Sequence, residues 1–123
     1  MTTQEILEAA RAAKTAVALS DGTTRNAALC GMADALGAPE HLDAILAANA
    51  EDMAAAKGKI SDVMLDRLAL TPQRIEAMAK GIRDVAALPD PVGRVLSHIE
   101  RPNGLVIEKT AVPMGVIAII YES

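Results

Sequence analysis

The sequence closes on VPMGVIAIIYES, residues 112–123, and this stretch decides the fold class. Residues 116–120 are apolar without alternation, which is typical of a strand that is covered on both faces in a parallel α/β sheet. Such a strand needs parallel neighbours, and each crossover between parallel strands takes about a dozen or more residues. Only residues 121–123 follow the run. We therefore expect the sequence to be part of a longer α/β protein.

Composition and charge exclude several classes of function. The chain has 123 residues, of which 51% are hydrophobic and 1% aromatic, and its formal net charge is -4. Nucleic-acid binding is not expected, because basic clusters and stacking aromatic residues are lacking. The N-terminus lacks the basic start of a signal peptide, and every apolar run is shorter than a membrane span. Together with a single cysteine, Cys30, these features predict a soluble, cytoplasmic protein without a membrane partner.

Apolar residues at helical spacing predict a layer of four to five helices before residue 89. Capping residues set their limits: Ser and Asp favour helix starts, and glycine favours the position just after a helix. The predicted helices are Thr3–Leu19, a second that ends at Gly37, a third from Pro39 to Lys57, a short one after Ser61 and a last one that begins at Thr71-Pro72.

The last helix has the clearest apolar stripe, and Glu76 and Lys80 on its outer side are spaced as an i,i+4 ion pair. Pro89 and Pro91 then end the helical pattern, since two prolines so close together forbid a helix. We predict the main organisational boundary of the chain at residues 88–91.

A β-hairpin is predicted after this boundary. Residues 95–99 alternate in polarity with a period of two, and residues 105–112 do so again. Between them, Arg101-Pro102-Asn103-Gly104 places proline where φ near -65° is needed, and asparagine and glycine where positive φ is tolerated. The segment therefore predicts two antiparallel strands joined by a tight turn.

Few residues are candidates for catalysis or ligand binding. Cys30 lies in the middle of a helix without a histidine nearby, so we interpret it as a buried structural cysteine. His41 and His98 lie on different elements without ligands at metal-binding spacing, so no metal site is predicted; His98 is read as a strand-surface residue. Asn49 lies on an apolar helix stripe, where a buried polar side chain needs a hydrogen-bond partner. The partner could be another helix or a site that includes Asp52, and we favour the helix-to-helix hydrogen bond.

The end of the final strand leaves two readings open. In open α/β sheets, ligands bind just beyond the carboxyl ends of the strands, where Tyr121, Glu122 and Ser123 would lie. The same three residues could equally be the exit of the strand. Neither a GxGxxG fingerprint nor a P-loop is present to decide between them.

Five stretches, in order, resemble the gamma-glutamyl phosphate reductase family of the aldehyde dehydrogenase superfamily. They are ILAANAEDMAAAK at 45–57, LDRLALTP at 65–72 with Arg74-Ile75, LPDPVG at 88–93, RPNGL at 101–105 and VPMGVIAIIYES at 112–123. Five ordered matches are far more specific than one short motif. The resemblance covers almost the whole chain and implies that it is the N-terminal part of an α/β enzyme about three times longer.

The resemblance implies a division of the chain. Residues 1–91 would be the helical part of a Rossmann-like cofactor domain, and residues 92–112 a β-hairpin that resembles the oligomerisation region. Residues 113–123 would be the first buried parallel strand of the cofactor domain. The parent enzyme would be a homo-oligomer.

The resemblance also implies an activity for the parent enzyme. That activity is the NADPH-dependent reduction of L-glutamyl 5-phosphate to L-glutamate 5-semialdehyde and phosphate, a step of proline biosynthesis, through a cysteine nucleophile. That cysteine would lie downstream and Cys30 does not match it, so this chain has no predicted catalytic residue and is expected to be inactive alone. Tyr121, Glu122 and Ser123 resemble a loop that borders the nicotinamide and are the predicted cofactor contacts. The alternative is a non-catalytic interaction module whose hairpin docks on a full-length subunit.

Overall fold

The computed structural model describes residues 2–120 and confirms the predicted helical layer followed by a hairpin. The elements are helices α1 (Thr3–Leu19), α2 (Gly22–Gly37), α3 (Pro39–Ala56), α4 (Asp62–Leu68) and α5 (Pro72–Ala86), and strands β1 (Val95–Glu100) and β2 (Val106–Thr110). The described residues form two compact units, residues 2–25 with 89–120 and residues 26–88. No helix in the described range is long and apolar enough to cross a membrane.

Helix α1, in the first unit, begins with a complete capping box. The hydroxyl of Thr2 accepts a hydrogen bond from the Glu5 amide, and the Glu5 carboxylate accepts one from the Thr2 amide at 2.7 Å. Two amides that have no partner inside the helix are thereby satisfied. The acidic side chain of Glu5 also lies at the positive end of the helix dipole.

The second unit has a small core. Helix α3 packs against α4 and α5, and the buried apolar side chains are Ala33 of α2 and Ile75 and Ala79 of α5. The cap predicted at Thr71 is present, since its hydroxyl accepts from the Arg74 amide at 3.1 Å. Pro72 fills the first helical position, where its missing amide costs nothing.

The predicted ion pair between Glu76 and Lys80 is wrong. Lys80 instead bonds Asp84 at 2.6 Å, one turn further along α5. Asp84 is also four residues from Lys80, so two carboxylates were available to one ammonium group. Glu76 lies 3.9 Å from the guanidinium of Arg83.

The hairpin of the first unit is antiparallel, with His98 opposite Glu108 and Ile99 opposite Ile107. Its turn is closed by a 2.9 Å hydrogen bond from the Gly104 amide to the Arg101 carbonyl. Gly104 takes the positive φ, +84°. Asn103 does not; its side-chain oxygen accepts from the Leu105 amide instead.

The last apolar run is unpaired among the described residues. Residues 116–120 are not a strand, and the side chains of Val116, Ile117, Ile119 and Ile120 are exposed. An extended segment becomes a strand only when a neighbour pairs with its backbone, and no described strand lies beside this one. The prediction that residues 113–123 form the first buried parallel strand of the parent's cofactor domain involves neighbours outside this chain and stays a prediction.

Candidate functional site

The predicted cofactor contacts, Tyr121, Glu122 and Ser123, lie outside the described residues, so they stay a prediction. Residues 113–120 precede them in sequence, and the first part of this segment forms one wall of a cleft in the first unit. This cleft is the part of the described structure that lies nearest to them along the chain.

Helix α1 forms the opposite wall of the cleft, which encloses about 360 Å³. Ala10, Ala13 and Val17 line it because residues three and four apart share one face of a helix. Pro113 to Ile117 complete an apolar lining, and Lys14 and Arg25 add two cations. The cleft therefore suits a ligand that is mostly apolar with an anionic group.

Gly115 sets how closely the two walls approach. Its φ is +97°, a conformation that glycine adopts without steric cost. A Cβ atom at this position would lie 3.1 Å from Cε and 3.6 Å from Nζ of Lys14. The side chain of Lys14 thus runs along the backbone at Gly115, and any larger residue there would displace it.

The side chain of Arg25 is already hydrogen-bonded to other groups of the protein. Its guanidinium donates to the backbone carbonyl of Ser20 and to the carboxylate of Asp90. Asp90 also accepts from the Val92 amide at 3.0 Å. The Val92 amide first, and then the Arg25 guanidinium, lower the pKa of Asp90. Arg25 therefore connects the corner between α1 and α2 to the segment 89–91, which contains Pro89 and Pro91. Of the two cations that line the cleft, Lys14 is the one available to a ligand.

A whole dinucleotide does not fit the described part of this site. Such cofactors are usually held by a glycine-rich turn at a helix N-terminus, which binds the pyrophosphate, and by a carboxylate for the ribose. The cleft lining contains no carboxylate, and its glycine, Gly115, does not precede a helix among the described residues. The cleft can contribute at most an apolar wall and one ammonium group.

His98 on the hairpin has two carboxylate neighbours that its position in sequence did not suggest. Its Nδ1 lies 2.9 Å from Glu108 of the facing strand, and its Nε2 lies 3.4 Å from Glu100. The prediction that His98 is a strand-surface residue is confirmed, because about half of its side chain is exposed. Within residues 2–120, no group of three His, Cys, Asp or Glu residues has metal-binding geometry.

The interpretation of Cys30 as a buried cysteine is wrong, because its side chain is exposed. Helix α2 buries only Ala33 among its described residues, so the face that carries Cys30 is not covered. His41 is also exposed and lines an apolar groove of about 470 Å³ in the second unit. Met32, Leu36, Ile45 and Ile82 form most of the other walls.

Asn49 has a structural role, as the favoured reading predicted. Its amide nitrogen donates to the Leu68 carbonyl at 2.9 Å, and its amide oxygen accepts from the Leu70 amide at 2.7 Å. Asn49 is 9% exposed. One side chain on α3 thus satisfies both backbone groups at the link between α4 and α5, and Asp52 takes no part in these bonds.

Comparison with solved structures indicates the class of protein. The crystal structure of gamma-glutamyl phosphate reductase from Thermotoga maritima superposes with a TM-score of 0.82 and 32% sequence identity. The match covers 89% of this chain and 26% of that chain. The helical layer and hairpin are therefore the fold of part of a reductase. No protein-family model matches the chain.

Sequence comparison gives more similar relatives with the same name. The gamma-glutamyl phosphate reductases of Streptococcus pneumoniae strains Hungary19A-6 and JJA are each 59% identical to the chain over 120 residues. The matched residues are 98% of this chain, and the chain spans 28% of the length of these curated relatives. The resemblance to the N-terminal part of gamma-glutamyl phosphate reductases is thus confirmed.

Proposed function

We propose that the chain is the N-terminal part of an NADPH-dependent reductase in the cytoplasm. This enzyme converts L-glutamyl 5-phosphate to L-glutamate 5-semialdehyde and phosphate in proline biosynthesis. The observation that carries the proposal is the identity of 59% over 98% of the chain to proteins of that name.

The role proposed for this chain is to supply structure beside the cofactor. NADPH provides the hydride of the reaction, and residues 113–117, which form one wall of the cleft, precede the predicted contacts Tyr121, Glu122 and Ser123 in sequence. Lys14 is the described cation that could meet an anionic group of the cofactor or substrate. The remaining cofactor contacts would come from the rest of the enzyme, because the described cleft does not form a dinucleotide site.

The chain alone is proposed to lack reductase activity. Its one cysteine, Cys30, lies on helix α2. None of the hydrogen bonds of the described residues joins its thiol to a histidine or a carboxylate. A cysteine nucleophile usually needs such a base or a helix N-terminus to form the thiolate.

A chimera tests the proposal for the enzyme. The 120 matched residues of this chain would replace their counterparts in the Streptococcus pneumoniae reductase, and NADPH oxidation with L-glutamyl 5-phosphate would be measured. We expect activity within about tenfold of the parent, because identity at this level preserves packing in most positions. A folded, cofactor-binding chimera without activity would contradict the proposal. A chimera in which Cys30 is replaced by serine should be equally active.

A second function has a specific observation in its favour. All described residues of β1 and β2 are exposed, including the apolar side chains of Leu96, Ile99 and Ile107. An exposed two-stranded ribbon can add to the open edge of another sheet. The hairpin would then dock on a full-length subunit, as in the homo-oligomer proposed for the parent enzyme. Copurification of the chain with the full-length reductase, lost on Ile107→Lys, would support this role; copurification that Ile107→Lys leaves unchanged would contradict it.

A further inference from the structure

The ion pair between Arg25 and Asp90 joins two parts of the first unit that are far apart in sequence. Its Nη2 and Oδ2 atoms lie 2.5 Å apart. The two side chains are 22% and 32% exposed, whereas those of the pair of Arg74 with Asp66 are 42% and 73% exposed. A partly covered ion pair is screened less by solvent than a surface pair. Further chain packed on this pair would only cover it more.

The carboxylate of Asp90 also bonds to its own segment. Its Oδ1 accepts a hydrogen bond from the Val92 amide at 3.0 Å. Its Oδ2 lies against the first residue of α2, Gly22, so closely that a Cβ atom there would be 2.6 Å away. On the other side of the pair, Arg25 donates to the Ser20 carbonyl at the end of α1. The pair therefore fixes this segment against the corner between α1 and α2.

Two backbone hydrogen bonds connect the same segment to the chain that enters the cleft wall. The Gly93 amide donates to the Ala111 carbonyl, and the Ala111 amide donates to the Arg94 carbonyl, each at 2.9 Å. Ala111 is thus held at both of its backbone groups. Residues 113–117, which follow shortly after it, form the cleft wall opposite α1. The place at which the chain enters this wall therefore depends on residues 90–94.

We propose that Arg25 and Asp90 are positioning residues for the reductase reaction, because their ion pair fixes residues 90–94 and thereby the start of the cleft wall at residues 113–117. The wall precedes the predicted NADPH contacts, residues 121–123, in sequence, so a displaced wall would misplace them. This role rests on the proposed function. Neither side chain of the pair needs to touch the cofactor.

The chimera with the Streptococcus pneumoniae reductase tests this role through NADPH. Asp90→Ala should raise KM for NADPH by about tenfold and change kcat by less than about threefold, because misplaced cofactor contacts weaken the ground state and the transition state alike. A role in stability alone would lower the fraction of active enzyme, and hence the apparent kcat, and leave KM for NADPH unchanged. Asp84→Ala, which removes the exposed ion pair with Lys80 on α5, is the matched control and should keep the KM of the unmodified chimera.

A glycine variant tests the contact without removing a charge. A Cβ atom at Gly22 would displace the carboxylate of Asp90. Gly22→Ala should therefore raise KM for NADPH by about threefold or more, in the same direction as Asp90→Ala. A Cβ atom at Gly31, further along α2, would meet nothing within 4 Å among the described residues. Gly31→Ala is the matched control and should keep the KM of the unmodified chimera.

Hydrogen exchange of the chimera tests the route through the backbone. Asp90→Ala should speed exchange of the Gly93 and Ala111 amides by about tenfold, because the ion pair fixes the segment that they bond. An active chimera in which Asp90→Ala leaves KM for NADPH or these two amides unchanged would overturn the inference and leave the proposed function standing. An equal rise of KM in Asp84→Ala would do the same. A folded, NADPH-binding chimera without activity would contradict the proposed function, and this positioning role with it.

Discussion

The helices of the second unit and the last described segment of the first unit are both rich in apolar residues, yet they differ in burial and in backbone hydrogen bonding. Helices α3 to α5 satisfy their backbone locally, through internal hydrogen bonds and caps such as Thr71, and bury Ile75 and Ala79. Residues 116–120 have stronger β-propensity than any other run in the chain, but remain unpaired and exposed. The backbone groups of a helix bond to each other within the helix, whereas those of a strand bond to a neighbouring strand.

The largest effect is expected from removing a side chain of the small helical core. Ile75→Ala should lower the free energy of unfolding by about 2–5 kcal/mol, because Ile75 is 1% exposed and its loss leaves a cavity. Urea unfolding followed by circular dichroism would measure this loss. Ile6→Ala, at a residue that is 52% exposed on α1, is the control and should cost clearly less. Equal losses would contradict the assignment of the core.

A slightly smaller effect is expected at the amide that links α3 to the turn between α4 and α5. Asn49→Ala leaves the Leu68 carbonyl and the Leu70 amide without their partner, which should cost about 1–3 kcal/mol. Thermal unfolding would report it. Asn26→Ala, at an exposed asparagine of α2, should change stability by less than about 0.5 kcal/mol. A neutral Asn49→Ala would show that the two hydrogen bonds contribute nothing.

The sequence predicts the role of Asn49 but not the partners of His98 and Lys80. The place of Asn49 on an apolar stripe demanded a hydrogen-bond partner, and a helix-to-helix bond was the simplest answer. The partner of His98 depended on the register of the hairpin, which brings Glu108 opposite it. Lys80 had carboxylates on both sides at equal spacing, so local spacing alone could not choose between them.

Exposure was harder to foresee than secondary structure. The helix limits followed from caps and glycines, and the turn at Gly104 followed from its residues. The exposure of Cys30 and of residues 116–120 depends on whether another element covers them. An apolar pattern indicates that a surface can be buried, but not which part of the molecule buries it.

The capping box of α1 gives a moderate effect in the first unit. Thr2→Ala should destabilise the helix by about 1 kcal/mol, since the amide of Glu5 loses its acceptor. Thr2→Ser keeps the hydroxyl and should behave like the unmodified chain. Helical content measured against temperature would show the difference, and identical melting of all three proteins would contradict the cap.

The smallest effect is a pH dependence from Asp90. The Val92 amide and the Arg25 guanidinium lower its pKa in the folded state, below the value of about 3.9 in an unfolded chain. Asp90 therefore contributes stability above about pH 4, and this contribution is lost as the pH falls further. Asp90→Asn should flatten the fall of the urea midpoint below pH 4 relative to the unmodified chain. The same slope in Asp90→Asn and in the unmodified chain would contradict the role of Asp90.

Hydrogen exchange of the dilute 123-residue chain would show whether the chain folds its helical layer by itself and leaves residues 116–120 unpaired. We predict protected amides at Leu70 and through α5, and exchange of residues 116–120 at the rates of an unstructured peptide. Protection of residues 116–120 in the dilute monomer, or free exchange through α5, would contradict the account.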